Sequence, residues 1–238
     1  ALYHASLRFS EAEPLYRRAL GIWEKFPACL EQATALSNLA RLCLDRGNYA
    51  EVESLSTRAL AIAQSLEPRH PEVAHSLNNL ADVHALKSRY AAADSLYRQA
   101  LSILEESLGP DHPEVAYVLN HLAMVSFLQA RFAESEAMYR RAIAILQKTP
   151  GQKTSTLAGG LTGLAELAAN KGRNSEAELL YQQAQAIWER TLGAEHPNIG
   201  LCLYGRARVC RRLGRFADAE ALYRRALVIC EKVPHQEM

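Results

Sequence analysis

The sequence is short of the residues that interrupt or crosslink a chain. It has 9 prolines and 12 glycines in 238 residues, and an odd number of cysteines, 5, with no CxxC pair among them. These are Cys29, Cys43, Cys202, Cys210 and Cys230. Because disulfide frameworks use paired cysteines in an oxidising compartment, we expect free thiols and a reducing, cytoplasmic location.

Neither sign of charge predominates in the sequence, and it has no long apolar run. The formal net charge is +1 and 22% of the residues are charged, which gives no global attraction to nucleic acid or to a membrane surface. No apolar run approaches the ~20 residues that a membrane-spanning helix needs. We therefore expect neither a nucleic acid nor a membrane as a partner.

The motifs of enzymes and of metal or cofactor sites are also absent. The sequence has no HExxH, no Walker-type phosphate loop and no nucleophile elbow. We expect a protein that is not an enzyme and that holds neither a metal nor a cofactor. A catalytic domain elsewhere in a longer protein stays a distant alternative.

What the sequence does have is an internal period. The tetrapeptide His-Pro-Glu-Val begins at His70 and again at His112, and the altered copy His-Pro-Asn-Ile begins at His196. The spacings are 112 − 70 = 42 and 196 − 112 = 84, twice 42, so a middle copy falls at Thr154. A fixed period of this size indicates a repeat protein. Each histidine precedes a proline that suits the first helical position, so we interpret the three histidines as capping residues rather than metal ligands.

The period predicts an all-α array of helix pairs, because apolar residues recur at helical spacing. We expect one array over 1–238, with a partial unit at 1–27 and full units at 28–68, 69–110, 111–152, 153–194 and 195–238. First helices are predicted at 29–45, 71–87, 113–129, 155–171 and 197–213. Second helices are predicted at 49–66, 90–107, 132–148, 174–191 and 216–232.

The partial unit at the start is predicted to hold the end of one helix, Ala1–Leu7, and a second helix, Phe9–Phe26. The segment Glu11–Leu20 closely matches Asp218–Leu227 of the last unit. Since the chain begins in mid-unit and without methionine, we expect a fragment of a longer protein.

The unit resembles the tetratricopeptide repeat, and its 42-residue length resembles the kinesin light chain type of that repeat. The residues that carry the resemblance are Leu77-Asn78-Asn79-Leu80-Ala81 on a first helix and Tyr223-Arg224-Arg225-Ala226-Leu227 on a second helix. The resemblance implies a right-handed superhelical solenoid of antiparallel helix pairs. It also implies a concave groove, lined by the first helices, in which an extended partner peptide binds.

By position in the repeat, the resemblance assigns a set of residues to this groove. They are Asn38, Arg41, His75, Asn78, Asn79, Asp82, Tyr117, Asn120, His121, Met124 and Phe127. Asparagine side chains both donate and accept hydrogen bonds, so they can hold a peptide backbone whatever its sequence. The alternative is that each is an ordinary residue of a solvated helix face. Because Thr162-Gly163 and Tyr204-Gly205 replace the asparagine pair, we expect backbone clamping over residues 37–121.

Glycines inside the fourth unit's first helix are a further departure from the repeat pattern. Gly159, Gly160 and Gly163 each cost ~1 kcal/mol relative to alanine in a helix. We interpret them as a soft point or a close backbone contact, and hypothesise that the superhelix bends there.

The last unit is rich in arginine and ends in an apolar stretch. The predicted site for an acidic partner consists of Arg208, Arg211, Arg212 and Arg215, because guanidinium groups bind carboxylates in bidentate fashion. The alternative is a solvated face. The stretch Leu227-Val228-Ile229-Cys230 has no capping helix after it, so it continues into further repeats or contacts another chain.

The leading hypothesis is therefore a non-enzymatic interaction scaffold that binds a protein or peptide partner in its groove. The alternative is a structural or regulatory spacer of a larger signalling or adaptor protein, which self-associates through its end faces.

Overall fold

The computed structural model describes residues 2–23, 25–149 and 154–232, and within these ranges the chain forms helices and no strands. The helices, in chain order, are α1 Leu2–Trp23, α2 Leu30–Asp45, α3 Tyr49–Leu66, α4 Pro71–Leu86, α5 Tyr90–Leu108, α6 Pro113–Leu128, α7 Phe132–Lys148, α8 Thr154–Asn170, α9 Asn174–Leu192, α10 Pro197–Arg212 and α11 Phe216–Glu231. From α2 onwards, each predicted helix is confirmed to within one residue at either end. Even-numbered helices from α2 to α10 are the first helices of the repeats, and odd-numbered helices are the second.

The recurring histidines cap the first helices, as predicted. His70, His112 and His196 each accept a hydrogen bond at Nδ1 from the backbone N–H two residues later, at 3.1, 3.2 and 3.2 Å. The proline that follows each histidine opens the helix, where its missing N–H is not needed. Two units lack the histidine: Cys29 is the N-cap of α2, and α8 begins at Thr154, where the period places the histidine and one residue before the predicted helix start.

The turns inside the repeats depend on one left-handed residue each. Gly47, Gly172 and Gly214 have φ of 75°, 74° and 74°, a conformation that glycine adopts without steric cost. Ser88 and Ala130 adopt it at the same repeat position, with φ of 56° and 60°. A side chain there is tolerated because the helices on either side fix the turn.

Small residues set the separation between helices in the core. The alanines that mark the middle of the first helices are fully buried; they are Ala40, Ala81, Ala123, Ala165 and Ala207. The second-helix tyrosines Tyr97, Tyr139 and Tyr181 are also buried, and each large ring fills the volume that the alanines leave. The packed helix pairs include α2 with α3, α4 with α5, α8 with α9 and α10 with α11.

The helices fall into two compact units. Among the described residues, the N-terminal unit spans 3–131, and the C-terminal unit spans 132–232 together with Leu2.

The start of the chain differs from the prediction. One uninterrupted helix, α1, replaces the two predicted helices and ends at Trp23 rather than Phe26. The position that Gly214 occupies in the last unit is Leu7 here. Because a residue with a side chain disfavours the left-handed conformation, leucine favours continuation of the helix over a turn.

Candidate protein-interaction surface

The predicted groove residues all lie on the three first helices α2, α4 and α6 of the N-terminal unit. Their exposure differs widely. Asn38 and Met124 are exposed, and Arg41, His75, Tyr117, His121 and Phe127 are partly exposed. Asn78, Asn79, Asp82 and Asn120 are buried between helices. The accessible part of this set is therefore formed mainly by aromatic, imidazole and guanidinium groups, with the asparagine pair buried beneath them.

A buried carboxylate holds this surface together. The hydroxyl of Tyr97 donates to Asp82 Oδ1 at 2.5 Å, and Arg41 donates to Asp82 Oδ2 at 3.1 Å. His121 Nδ1 lies 3.3 Å from Oδ1. Burial disfavours the charged carboxylate, but His121, Arg41 and Tyr97 together lower the pKa of Asp82 below its usual range. Asp82 is therefore an anion at neutral pH that fixes three neighbouring side chains.

Arg41 also bridges two helices that are not neighbours in the sequence. From α2 it donates a hydrogen bond to the hydroxyl of Tyr117 on α6, and its guanidinium lies 5.4 Å from the centre of the Tyr117 ring. The Tyr117 ring in turn lies 4.5 Å from the ring of His121. Burial raises the pKa of Tyr117 to about 12, so the phenol is neutral. The result is a cation held next to the Tyr117 ring, which in turn contacts His121.

His75 supplies a second cation on the same surface. Its Nε2 lies 2.8 Å from Glu114 Oε2, and its Nδ1 lies 3.6 Å from Glu72 Oε2. Burial favours the neutral imidazole, but the hydrogen bonds to Glu114 and Glu72 outweigh it and raise the pKa of His75 to about 9. His75 is therefore protonated at neutral pH.

The two members of the asparagine pair, both buried, differ in their hydrogen bonding inside the unit. Asn79 donates through Nδ2 to the backbone oxygen of Ser37 at 3.0 Å, and the hydroxyls of Ser37 and Ser76 are 3.1 Å apart. Asn78 Oδ1 is buried and accepts no hydrogen bond within the described residues. Asn79 therefore helps to join α4 to α2.

Sequence reasoning missed several residues that build this surface. They are Ser37, Glu72, Ser76, Tyr97 and Glu114. A signal for one of them was present. The spacing of 15 residues between Asp82 and Tyr97 recurs between Glu166 and Tyr181 in the C-terminal unit, and both pairs form the same hydrogen bond.

In the C-terminal unit, Glu166 is the counterpart of Asp82. Glu166 accepts a hydrogen bond from Tyr181 at 2.6 Å and one from Arg208 at 2.8 Å. Arg208 lies 5.9 Å from the ring centre of Tyr204, which is exposed. This first-helix face therefore also presents an arginine and an aromatic ring.

Three of the four arginines predicted to bind an acidic partner contact groups of their own unit. Arg208 pairs with Glu166, Arg215 with Glu178 at 2.7 Å, and Arg212 donates to the backbone oxygen of Ala169. Arg211 is exposed and forms no ion pair with any described residue. Only Arg211 keeps its full bidentate capacity for a carboxylate from outside.

The described residues were also compared with the requirements of a metal site and of a membrane-spanning helix. Over 2–23, 25–149 and 154–232 there is no group of three or more histidine, cysteine and acidic side chains placed to hold a metal ion. Within the same ranges, no helix combines the length and the apolar character that crossing a bilayer requires.

The chain is similar in fold to several solved structures. BtubC (BKLC) from P. vanneervenii superposes with a TM-score of 0.74 at 24% identity, over 100% of this chain and 94% of that one. A putative kinesin light chain from Podospora anserina, with nearly identical TPR-like repeats, gives 0.65 at 23% identity, over 87% and 99%. Pseudomonas aeruginosa pilF gives 0.62 at 18% identity, over 83% and 76%. No curated protein matches the sequence.

The sequence itself matches a family model. The tetratricopeptide repeat model matches residues 1–65, 31–106, 72–148 and 156–232, which together cover nearly the whole chain. This confirms the resemblance drawn from the repeat motifs, and the solved structures confirm the kinesin light chain-like fold. Tetratricopeptide repeats generally mediate protein–protein interaction or scaffolding and are generally not enzymes. The chain belongs to the tetratricopeptide repeat family.

Proposed function

We propose that this protein is a non-enzymatic interaction scaffold, and that it binds an extended segment of a partner protein on the first-helix face of the N-terminal unit. The observation that carries the proposal is the cluster of Arg41, Tyr117 and His121 around buried Asp82. It places cationic, aromatic and hydrogen-bonding groups side by side on one partly exposed surface.

The chemistry of this surface suits a peptide. Met124 is exposed beside the cluster and offers an adaptable apolar contact, while Asn38 is an exposed amide that can donate and accept. The fixed side chains lose little conformational entropy when a partner binds, because Asp82 and Glu114 already hold them. Little binding energy is therefore spent on ordering Arg41 and His75.

The N-terminal unit is favoured over the arginines of the last unit as the binding surface. Arg208, Arg212 and Arg215 would have to release Glu166, Ala169 or Glu178 before binding an outside carboxylate. Arg211 alone is a single rim charge, which contributes little affinity. Binding of an acidic segment at the last unit is therefore the alternative to binding at the N-terminal unit.

The test is a peptide-library screen with the whole chain, followed by affinity measurements on the hits. We expect dissociation constants around micromolar, equivalent to roughly −8 kcal/mol. Met124→Glu, at an exposed groove position, should weaken the hits at least tenfold. Gln99→Glu, at an exposed position of second helix α5, is the matched control and should leave them unchanged.

Two results contradict the proposal. If Arg211→Glu abolishes binding and Met124→Glu does not, the partner lies on the last unit and is acidic. If no peptide binds at all, the spacer function becomes the better account. That second candidate is favoured by one observation, the exposure of Leu227 and Val228 on α11. It predicts concentration-dependent association in sedimentation, lost on Val228→Glu.

A further inference from the structure

The first helices of the two units carry opposite formal charges. In the N-terminal unit, α2, α4 and α6 hold five acids and one arginine, a formal charge of −4; they are Glu31, Asp45, Glu72, Asp82, Glu114 and Arg41. In the C-terminal unit, α8 and α10 hold one acid and four arginines, a formal charge of +3; they are Glu166, Arg206, Arg208, Arg211 and Arg212. The formal net charge of the whole chain is only +1. The near-neutral chain therefore has a negative set of first helices in its N-terminal unit.

The turns of the N-terminal unit carry bases, but ion pairs hold three of these bases towards the second helices. Each turn after a first helix supplies one base that pairs with an acid of the preceding second helix. The pairs are Arg46 with Glu13 on α1, Lys87 with Glu53 on α3, and Arg131 with Asp94 on α5. These bases therefore neutralise acids of α1, α3 and α5, and they do not neutralise the acids of the first helices.

The two cations on the first helices are also engaged. Arg41 lies 3.1 Å from Asp82, and His75 lies 2.8 Å from Glu114 and 3.6 Å from Glu72. With His75 protonated and the other histidines neutral, the formal charge of the three helices is still −3. A negative field of this kind extends over a Debye length, ~8 Å at physiological ionic strength. It attracts a basic segment and repels an acidic one.

Asp45 is an acid of this set that has no internal partner. Its exposed carboxylate forms no hydrogen bond or ion pair with any described residue. Asp45 stands one helical turn after Arg41, so the two side chains share a face of α2. The protein around Asp45 excludes part of the water and thereby raises the pKa of its carboxyl; Arg41 opposes this rise, and the charge of Asp82 adds to it. Since Asp82 belongs to α4, the carboxylate of Asp45 lies towards the surface that α2 and α4 form together.

The position of Asp45 is unfavourable for its own helix. It is the last residue of α2, where the unpaired carbonyl groups give the helix a negative end, and an acid there destabilises the helix. At the same repeat position the other first helices have Leu86, Leu128, Asn170 and Arg212, none of which adds a negative charge. A residue that breaks a local rule without compensation inside the protein indicates a functional role.

Two exposed leucines continue the line that begins at Asp45. Leu86 on α4 and Leu128 on α6 occupy the repeat position of Asp45 and are exposed. Within the unit, α2 packs against α4, and α4 packs against α6. Packed helices lie ~8–10 Å apart, and an extended segment advances ~3.3 Å per residue. A segment that crosses the three helices therefore reaches a new helix about every three residues.

We propose that the partner segment bound on the N-terminal unit is basic. It places a lysine or arginine side chain against Asp45, and apolar side chains about three and six residues away against Leu86 and Leu128. The base gives Asp45 the cation that its own unit does not supply, and the leucines add apolar contact. This inference rests on the proposed function and adds to it the chemistry of the partner.

The first test screens the whole chain against a library of short peptides with randomised charged and apolar positions. Hits on the N-terminal unit are those that the variant Leu86→Ser/Leu128→Ser weakens. Among these hits we expect lysine and arginine to outnumber aspartate and glutamate, with apolar residues about three and six positions from the base. Their affinity should fall at least about threefold when NaCl is raised from about 50 to about 500 mM, because salt screens the ion pair. Hits enriched in acids overturn the proposal.

The second test exchanges the charge at Asp45. Asp45→Asn should weaken the basic hits about three- to tenfold, and Asp45→Lys should weaken them further. A hit whose base is replaced by glutamate should bind the Asp45→Lys chain better than it binds the unchanged chain. The matched control is Glu67→Lys, which makes the same change of charge at an exposed loop position before α4, and it should change the affinity less than about twofold. Equal effects of the two lysine variants show a general charge effect and overturn the proposal.

Stability measurements separate a lost contact from a folding defect. Asp45→Asn and Asp45→Lys remove an unfavourable charge from the end of α2, so neither should lower the temperature of thermal unfolding. A variant that binds more weakly and unfolds no earlier has lost the contact with the peptide and not the fold. A lower unfolding temperature in both variants would show that Asp45 stabilises the unit, which overturns the proposal.

The results also distinguish the basic partner from the peptide surface itself. If no peptide binds, both the proposed surface and its basic partner are overturned. If hits depend on Leu86 and Leu128 but are not basic, or do not respond to Asp45→Lys, the peptide surface stands and the basic partner is overturned. Basic hits that bind the Leu86→Ser/Leu128→Ser chain unchanged lie on another surface, and they too overturn the basic partner.

Discussion

The two units use the same repeat position in different ways. Asp82 in the N-terminal unit and Glu166 in the C-terminal unit occupy equivalent places on a first helix, two periods apart. Each accepts a hydrogen bond from a tyrosine on the following second helix and pairs with an arginine from an adjacent first helix. The side chain of Asp82 is 8% exposed, however, whereas that of Glu166 is 31% exposed.

One neighbouring position differs clearly between the two sites. In the N-terminal unit His121 stands there, and its ring packs 5.8 Å from that of Tyr97 and beside Asp82. In the C-terminal unit the same position is Gly163 or Gly205, and the tyrosine ring lies directly against the helix backbone. The histidine adds cover beside the carboxylate of Asp82, and a glycine has no side chain to do the same for Glu166. The comparison shows how one repeat framework yields both a rigid polar cluster and a close helix contact.

Removal of each carboxylate should give the largest difference in stability between the two units. We expect Asp82→Ala to lower the free energy of unfolding by about 3–5 kcal/mol, because it leaves Tyr97, His121 and Arg41 without their shared partner in a buried place. Glu166→Ala should cost about 1 kcal/mol, since water can replace much of what the more exposed carboxylate provides. Urea unfolding of both variants measures the difference. Equal losses would show that burial of Asp82 has no energetic consequence.

The glycines should be the next most sensitive positions. Gly163→Ala would place a Cβ 2.3 Å from the buried ring of Tyr139, and we expect a loss of about 1–3 kcal/mol from overpacking. Gly159→Ala is the matched control on the same helix, because nothing lies within 4 Å of its Cβ position. That change should stabilise the protein by about 1 kcal/mol through helix propensity. Thermal unfolding checks the opposite signs, and two changes of the same sign contradict the proposed contact.

Much of the fold could be predicted because its signals are local and repeated. The His-Pro pairs mark the starts of first helices, and the glycines at 47, 172 and 214 mark turns. These signals fail at α1, where Leu7 replaces the turn glycine and the helix continues. The close contact suggested for the glycines of the fourth unit's first helix is confirmed at Gly163.

The details of the surface could not be predicted from position in the repeat. A repeat position tells which way a side chain points, but not how far it is covered by a long neighbour such as Arg41 or His121. Asn79 on α4 faces the preceding first helix, α2, and donates to Ser37 because the two helices approach closely there. Whether the asparagines also contact a partner stays a prediction.

Two tyrosines of the C-terminal unit, Tyr181 and Tyr139, should differ in how much their hydroxyls stabilise the protein. Tyr181 donates to Glu166 at 2.6 Å, whereas the hydroxyl of Tyr139 has no hydrogen-bond partner among the described residues. We expect Tyr181→Phe to cost about 1–2 kcal/mol, because a hydrogen bond to a charged group is lost. Tyr139→Phe should change stability by less than about 0.5 kcal/mol. Denaturant unfolding of the two variants makes the comparison, and equal costs would show that ring packing alone matters.

The smallest expected effect is a pH dependence confined to the N-terminal unit. Contacts with Glu114 and Glu72 raise the pKa of His75 in the folded protein to about 9 from an ordinary value of 6.5. The folded state therefore binds the proton more tightly, so this stabilisation is complete below pH 6.5 and is lost as the pH rises through 9. Because the imidazole is partly exposed, screening reduces the contribution to roughly 1 kcal/mol. Unfolding of the unchanged protein and of His75→Gln at pH 6 and pH 10 tests this. The unchanged protein should lose roughly 1 kcal/mol more than the variant, and an equal loss in both would mean that His75 gains no proton affinity from folding.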